Sequence, residues 1–309
     1  MNTVATASDA TSATSATNAS ARDAWDAAAQ GWHDSGPQVR AWLHGATAAL
    51  LDAAGVQAGL RVLDVAAGAG DQTLDIARRV GAQGHVLATD LSPGIVALGA
   101  AASRRAGLQA VEWRVADAQA LDLAGAGFDA AVCRLGLMFC PQPVMALRAM
   151  HAALRPGARA AVLVFGGPEG NPCITALARV ARRYAQGTAP GTAPGSAAAD
   201  PFAPGTLLSL GRPGLLSQLM GDGGFEDVHI NTLEAPFVLP SVQHYIHFLR
   251  SAAAPVIANW QALPLGAQQA AWHELTSELS AFNETDAWRG PNRLLLASGR
   301  VNNLLQTSR

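Results

Sequence analysis

The 309-residue chain is long enough to bury a full core, and half of its residues are hydrophobic with few aromatics. Its formal charge of −2 comes without a single Lys, and scattered Arg in a near-neutral chain lacks the electrostatic footprint of a nucleic-acid binder. No apolar run reaches bilayer length, and Cys133, Cys140 and Cys173 show neither CxxC pairing nor His partners at zinc spacing, so no metal site is expected.

Residues 1–20 are Ala, Ser, Thr and Asn with almost no large apolar group, and a disordered tail is expected there, ahead of one domain over 21–309. Nothing basic precedes Arg22 and no apolar segment follows, so neither a secretory nor a transit signal is expected and the cytoplasm is the default. Ala-rich, Lys-free usage points to a GC-rich bacterial genome. A helical segment carries Trp25 and Trp32, seven residues apart and therefore on one face. Docking that helix on the core explains both rings; a lid whose aromatic face favours a cation is the functional alternative.

A regular alternation follows. Short β-like runs are predicted at 61–65, 85–89, 111–115, 130–133 and 158–165, with helical patterns at 72–80, 94–106 and 144–154. Such alternation implies a parallel sheet covered on both faces, with the loops leaving the strands gathered along one edge. Beyond it, 172–184 reads as a helix and 186–200 as a flexible Thr-Ala-Pro-Gly loop. A sixth strand is expected at 228–238, mostly helix over 241–282, and a seventh strand at 293–301.

Three features at the strand ends carry chemistry. Asp64 closes the first strand, and Gly68 and Gly70 follow in a turn that lets backbone amides approach a ligand. The dinucleotide fingerprint needs a third Gly where Thr73 stands. Asp90 ends the second strand and can accept both hydroxyls of a ribose, while Ser92 before Pro93 supplies the cap of the next helix. Asp117 follows the third strand and can accept from the amino group of an adenine. Each has a plain structural reading alone; together they lie on one sheet edge.

The order Asp64-Val-Ala66-Ala-Gly68-Ala-Gly70, Asp90, Asp117, with FDAAVCRLGLMFCPQP and ALRPG downstream, resembles the class I S-adenosylmethionine-dependent methyltransferases, in particular small-molecule members similar to the ubiquinone/menaquinone-biosynthesis C-methyltransferases. The resemblance covers roughly residues 25–167. It implies an α/β Rossmann-like, doubly wound, mostly parallel seven-stranded sheet with an antiparallel last strand. Helical additions would lie at the N-terminus and between strands 5–6 and 6–7. The cofactor-binding core would span about 56–167, and 168–309 would cover the acceptor and complete the sheet. S-adenosyl-L-methionine would be the cofactor. Asp64, Ala66, Ala67, Gly68 and Gly70 would line its methionine and ribose side. Asp90 would take the ribose hydroxyls with Leu91 against the adenine, Asp117 and Ala118 would hold the adenine, and Arg134 and Leu135 would face the methionyl group and the acceptor. Ala66 stands where the family has its first Gly; its methyl is accommodated if the backbone there is ordinary.

A methyl acceptor that is a phenol or carbon acid needs a base. His33, His151, His244, His247, Tyr184 and Tyr245 are the candidates, with Trp25, Trp32, Met138, His244 and His247 as expected pocket residues. No Asn/Asp-Pro-Pro-aromatic motif follows strand four and no Pro-Cys nucleophile is placed for base methylation, so a small organic acceptor is expected. An NAD-linked oxidoreductase and a cofactor-binding protein without turnover remain the alternatives.

Overall fold

The computed structural model describes residues 7–186, 200–253 and 256–303. In chain order, helices α1 (Ala7–Asp34) and α2 (Gly36–Ala53) lead into the alternating unit β1 (Arg61–Val65), α3 (Asp71–Val80), β2 (His85–Asp90), α4 (Pro93–Arg105), β3 (Val111–Val115), β4 (Phe128–Arg134), α5 (Pro143–Ala153) and β5 (Leu154–Phe165). Helices α6 (Pro172–Ala185) and α7 (Leu215–Asp222) precede β6 (Glu226–Glu234) and β7 (Phe237–Leu239). Helices α8 (Val242–Ser251), α9 (Ala258–Gln261) and α10 (Leu265–Leu279) then lead to β8 (Trp288–Gly290) and β9 (Arg293–Arg300).

Seven strands form one sheet in the order β3-β2-β1-β4-β5-β9-β6, with β9 antiparallel to both of its neighbours. The expected mostly parallel sheet with an antiparallel last strand is therefore present. Strands β1, β2, β4 and β5 are almost continuously buried, as strands covered by helices on both faces must be. Edge strands β3 and β6 are largely exposed. Helix α3 presents Gln72, Thr73, Ile76, Ala77 and Val80 to the sheet, a stripe of helical period. The winding direction reverses between β1 and β4, and the crevice outside the carboxyl ends there is where a doubly wound sheet takes its ligand.

Two expectations change. The stretch read as a tail through residue 20 is helical from Ala7 onward: Ala is the best helix former, and no Gly or Pro interrupts the run before Gly31. Residues 1–6 lie outside the described residues, as do 187–199 of the expected flexible loop. The strand expected at 228–238 is two strands. Pro236 has no N–H to continue the ladder, so β6 stops at Glu234 and β7 pairs instead with β8 in a separate two-stranded sheet. Helix α2 is one of the helical additions expected at the N-terminus; its buried stripe Val39, Leu43, Ala46, Thr47, Leu50 and Leu51 packs over β4 and β5, and Pro37 lies in its first turn.

Candidate active site

A cavity runs along the carboxyl edge of the sheet, and the strand order sets its sequence of walls. Asp117 follows β3, Asp90 ends β2, Ala66 and Gly68 follow β1, Arg134 and Leu135 leave β4, Phe165 ends β5, and Asn292 precedes β9. The half at β3 and β2 carries its two acidic side chains, Asp117 and Asp90. The half beyond Arg134 is mostly apolar.

On the acidic half, Asp90 accepts from the backbone N–H of Gly68 (3.0 Å) and of Ser92 (3.1 Å). It thereby ties the glycine turn of β1 to the end of β2. Burial raises its pKa above the usual carboxylate range, against the pull of these amides. Asp117 accepts from the N–H of Gln119 at 2.9 Å and starts a short 3-10 turn at Ala118. Gln119 in turn accepts from Gln142 N–H at 2.7 Å, which fastens the β3 loop to the loop after β4. Leu91 and Ala118 complete this end of the cavity.

The turn after β1 is built on left-handed backbone. Gly68 (φ 59°) and Gly70 (φ 97°) adopt it, and so does Ala66 (φ 55°). The backbone at Ala66 is therefore not ordinary, and its methyl group carries strain that Gly would avoid. Gly136, just after β4, makes room: a Cβ there would overlap Ala66 Cβ and lie 3.3 Å from Cys133 Sγ. Leu135 (φ 56°) is a second strained residue on the same wall. Gly70 caps α3 without a side-chain bond, so the first-turn amides of that helix are left to a ligand or water.

Not every expected residue reaches the cavity. Asp64 is fully buried behind it, accepting from Gln72 Nε2 (2.6 Å) and Thr73 Oγ1 (2.7 Å). Thr73, at the position where a dinucleotide turn would carry Gly, holds this carboxyl in place. Ala67 is also buried, its N–H on Thr89 O at 2.9 Å, and Gly70 packs against Trp113. Burial pushes the Asp64 pKa up to about 7. Its folded value thus exceeds the unfolded one near 4, folding takes up a proton, and stability falls as pH rises from about 4 to 7. Denaturation at pH 5 and pH 8 should show this slope in the apo protein and a shallower one in Asp64→Asn. An equal slope in both would mean Asp64 is already ionised at pH 5.

Arg134 occupies the middle of the wall. Nη2 donates to Asp71 at 2.5 Å and Nη1 to Thr47 at 2.8 Å, and the ion pair is almost entirely buried. It links the β4 end to α2 and α3, and a buried pair of this kind is costly to break from one side.

The roof comes from α1 and α8. Trp25 and Trp32 line the cavity and meet edge to face (centroids 5.9 Å apart), and Trp25 also meets Phe139 at 5.2 Å. Asp26, which no sequence pattern singles out, accepts from Ser92 Oγ and Gly94 N–H, both at 2.7 Å. These bonds hold its carboxyl below the ordinary range and anchor α1 on the first turn of α4. Ser92 itself caps α4 as expected, accepting from Ile95 N–H at 3.1 Å. Gly31 lets α1 cross α8 closely, since a Cβ there would overlap the carbonyl oxygen of Ser251. Gly31→Ala should lift this crossing; limited proteolysis within residues 20–40 should quicken several-fold, and unchanged cleavage would count against a packed roof.

The acceptor-side expectations need correction. His244 and His247 are exposed on α8, and His244 Nδ1 instead pairs with Ser241 Oγ at 2.9 Å. The face of α8 that lines the cavity carries Tyr245, Phe248 and Leu249. That apolar i, i+3, i+4 stripe is the signal that marks the buried side. Met138 is buried outside the cavity wall, where Phe139 stands instead. His33 approaches Arg105, His151 packs on Phe225, and Tyr184 meets Glu274, all away from the cavity. Of the candidate bases, Tyr245 alone lines it. Burial raises the pKa of Cys133 well above its ordinary value and that of Cys140 to about 12, so neither is a thiolate nucleophile. Among the described residues no cluster of three or more His, Cys, Asp or Glu is placed to hold a metal.

Residues 62–157 match the methyltransferase domain family. The ubiquinone/menaquinone biosynthesis C-methyltransferases of Idiomarina loihiensis and Klebsiella pneumoniae are 36% and 37% identical to this chain over 119 residues, covering 38% of this chain and 47% of theirs. The chain thus spans about half the length of the curated relatives it matches. Among solved structures, the YcgJ protein of Bacillus subtilis aligns over 84% of this chain and 99% of its own (TM-score 0.52, 14% identity). Phosphoethanolamine N-methyltransferase 2 of Haemonchus contortus, solved with phosphomonomethylethanolamine and S-adenosylhomocysteine, aligns over 84% and 53% (TM-score 0.51, 16% identity). At these identities the likeness is one of fold.

Proposed function

We propose, from the premise that residues 62–157 form a class I methyltransferase domain, that this chain transfers the methyl group of S-adenosyl-L-methionine to a small organic acceptor. The observation that carries the reading is the order of groups along one sheet edge: Asp117, Asp90, the Ala66–Gly68 turn, Arg134 with Leu135, then an apolar chamber. A nucleoside with a charged amino-acid tail fits that order. The buried Asp90 carboxylate meets the ribose hydroxyls, Asp117 the adenine amino group, and Leu91 and Ala118 the faces of the ring. The uncapped amides of α3 and the turn from Ala66 to Gly70 receive the methionyl carboxylate, with Arg134 beside them and Asp64 and Ala67 supporting the turn from behind.

When bound, the cofactor supplies an electrophilic methyl group on a sulfonium. The chain's own contribution is alignment and exclusion of water. Trp25, Trp32 and Phe248 roof the cavity, and Trp42, Phe165 and Phe237 wall the acceptor side, so an acceptor atom is held dry beside the turn. Among the described residues no His stands on this wall and burial pushes the Tyr245 phenol well above its ordinary pKa, so none of its described side chains is suited to take a proton from the acceptor. The acceptor then reacts through an atom that is already nucleophilic or that loses its proton to water.

The cavity favours a small molecule over nucleic acid, since the wall beyond Arg134 is mostly apolar and the chain carries a formal net charge of −2. Among the described residues no helix is long and apolar enough to cross a membrane, and a bacterial cytoplasmic enzyme is the reading that composition and relatives support. Isothermal titration should give saturable one-site binding of S-adenosylmethionine and S-adenosylhomocysteine and none of NADH. Binding of NADH alone would replace the reading with the oxidoreductase one, and tritiated-methyl transfer to any acceptor separates an enzyme from a binder.

A further inference from the structure

The apolar chamber contains one polar group whose presence its packing does not explain. Tyr245 is 5% exposed and its ring is fixed, stacked on Trp288 (4.7 Å, 25°) and edge-on to Phe237 (5.9 Å, 89°). Trp288 is itself held, donating from Nε1 to Leu279 O at 2.7 Å. Trp42, stacked on Phe237 at 4.7 Å, donates to Ala235 O at 2.7 Å. The neighbouring polar aromatics are thus satisfied within the fold, as buried ones normally are. The Tyr245 hydroxyl makes no hydrogen bond to any described residue. Phe would fill the same volume without placing an unpartnered hydroxyl among these rings, where a bound oxygen can pair with it. Asn292, 4% exposed and lining the same cavity, donates from Nδ2 to Gly290 O at 3.3 Å.

We propose that Tyr245 is the specificity residue of the acceptor chamber: its hydroxyl donates to an oxygen of a flat, otherwise apolar acceptor seated among Trp42, Phe165, Phe237 and Phe248. This rests on the methyl-transfer reading above. Burial keeps the phenol protonated, so Tyr245 serves as a donor and not as a base. A planar ring system matches the aromatic walls, and an oxygen on it matches the unpaired hydroxyl of Tyr245. An acceptor of the same shape with no oxygen leaves the hydroxyl unpaired and is discriminated against, as sites built around a buried polar group discriminate.

The test uses the full chain saturated with S-adenosylhomocysteine, with 2-naphthol and naphthalene as probes, in wild type and Tyr245→Phe. The expected result is a Kd for 2-naphthol about tenfold weaker in the variant, the loss typical of one hydrogen bond, with naphthalene binding unchanged. Equal loss of both probes would make Tyr245 a packing residue, and no loss of either would make its hydroxyl idle; both overturn the proposal. Failure of 2-naphthol to bind wild type that does bind S-adenosylhomocysteine overturns the acceptor class alone. Failure of S-adenosylhomocysteine to bind overturns the methyl-transfer reading instead. An equal Kd for S-adenosylhomocysteine in both proteins shows the variant is folded.

Discussion

Replacing Asp90 with Ala should weaken S-adenosylmethionine binding by about two orders of magnitude, because hydrogen bonds to a charged partner are each worth about 1.5–3 kcal/mol and a ribose offers two. Asp90 is suited to such a loss because it works in two directions. Its carboxylate faces the cavity, and it also accepts from Gly68 and Ser92, holding the turn on which the rest of the cofactor would lie. Titration calorimetry reads the first effect and the apo melting temperature the second. Asp117→Ala should cost less, about tenfold, since a single hydrogen bond to the adenine is at stake. Unchanged affinity in Asp90→Ala would remove the ribose assignment and with it the main argument for a nucleoside cofactor.

The second large effect concerns stability and comes as a pair. Gly136→Ala should destabilise by about 1–3 kcal/mol, the usual cost of overpacking, because its new methyl would occupy the space of Ala66 Cβ. Ala66→Gly alone should stabilise slightly, since it relieves a left-handed backbone that costs a non-glycine residue about 1 kcal/mol. The double variant should then recover most of the loss seen in Gly136→Ala. Chemical denaturation of all four proteins gives the coupling directly. If the two effects simply add, the methyl of Ala66 does not depend on Gly136 for its space.

The cofactor half of this site was legible from sequence because its signals are local. Gly68, Asp90 and Asp117 each follow a short apolar run, and parallel winding gathers such ends on one edge, whereas Asp64 and Gly70, read by the same signal, lie behind the cavity wall. The substitution of Ala66 was legible too, but its compensation by Gly136, seventy residues on, was not, since nothing nearby in the chain refers to it. The acceptor half was misjudged for a related reason. The His244/His247 spacing suggests a shared helix face. The neighbouring Tyr245, Phe248 and Leu249 stripe already marks the other face as buried, and periodicity outranks residue chemistry there. Trp42, Phe165, Phe237 and Asn292 come from α2, β5, β7 and the approach to β9, and only the fold brings them together. Asp26 lies beyond the reach of any pattern, because its partners Ser92 and Gly94 are more than sixty residues away.

The strand order has one more consequence. Walls from β3 to β4 come from the contiguous stretch that the methyltransferase family shares, whereas the chamber beyond β5 is assembled from α2 and from residues 165–292. The site is therefore modular along a line through the sheet. Its half between β3 and β4 is encoded in one block, and its other half in separate pieces of the chain outside that block. Exchanging the segment after β5 between members of this fold should carry substrate preference with it while leaving affinity for the methyl donor in place.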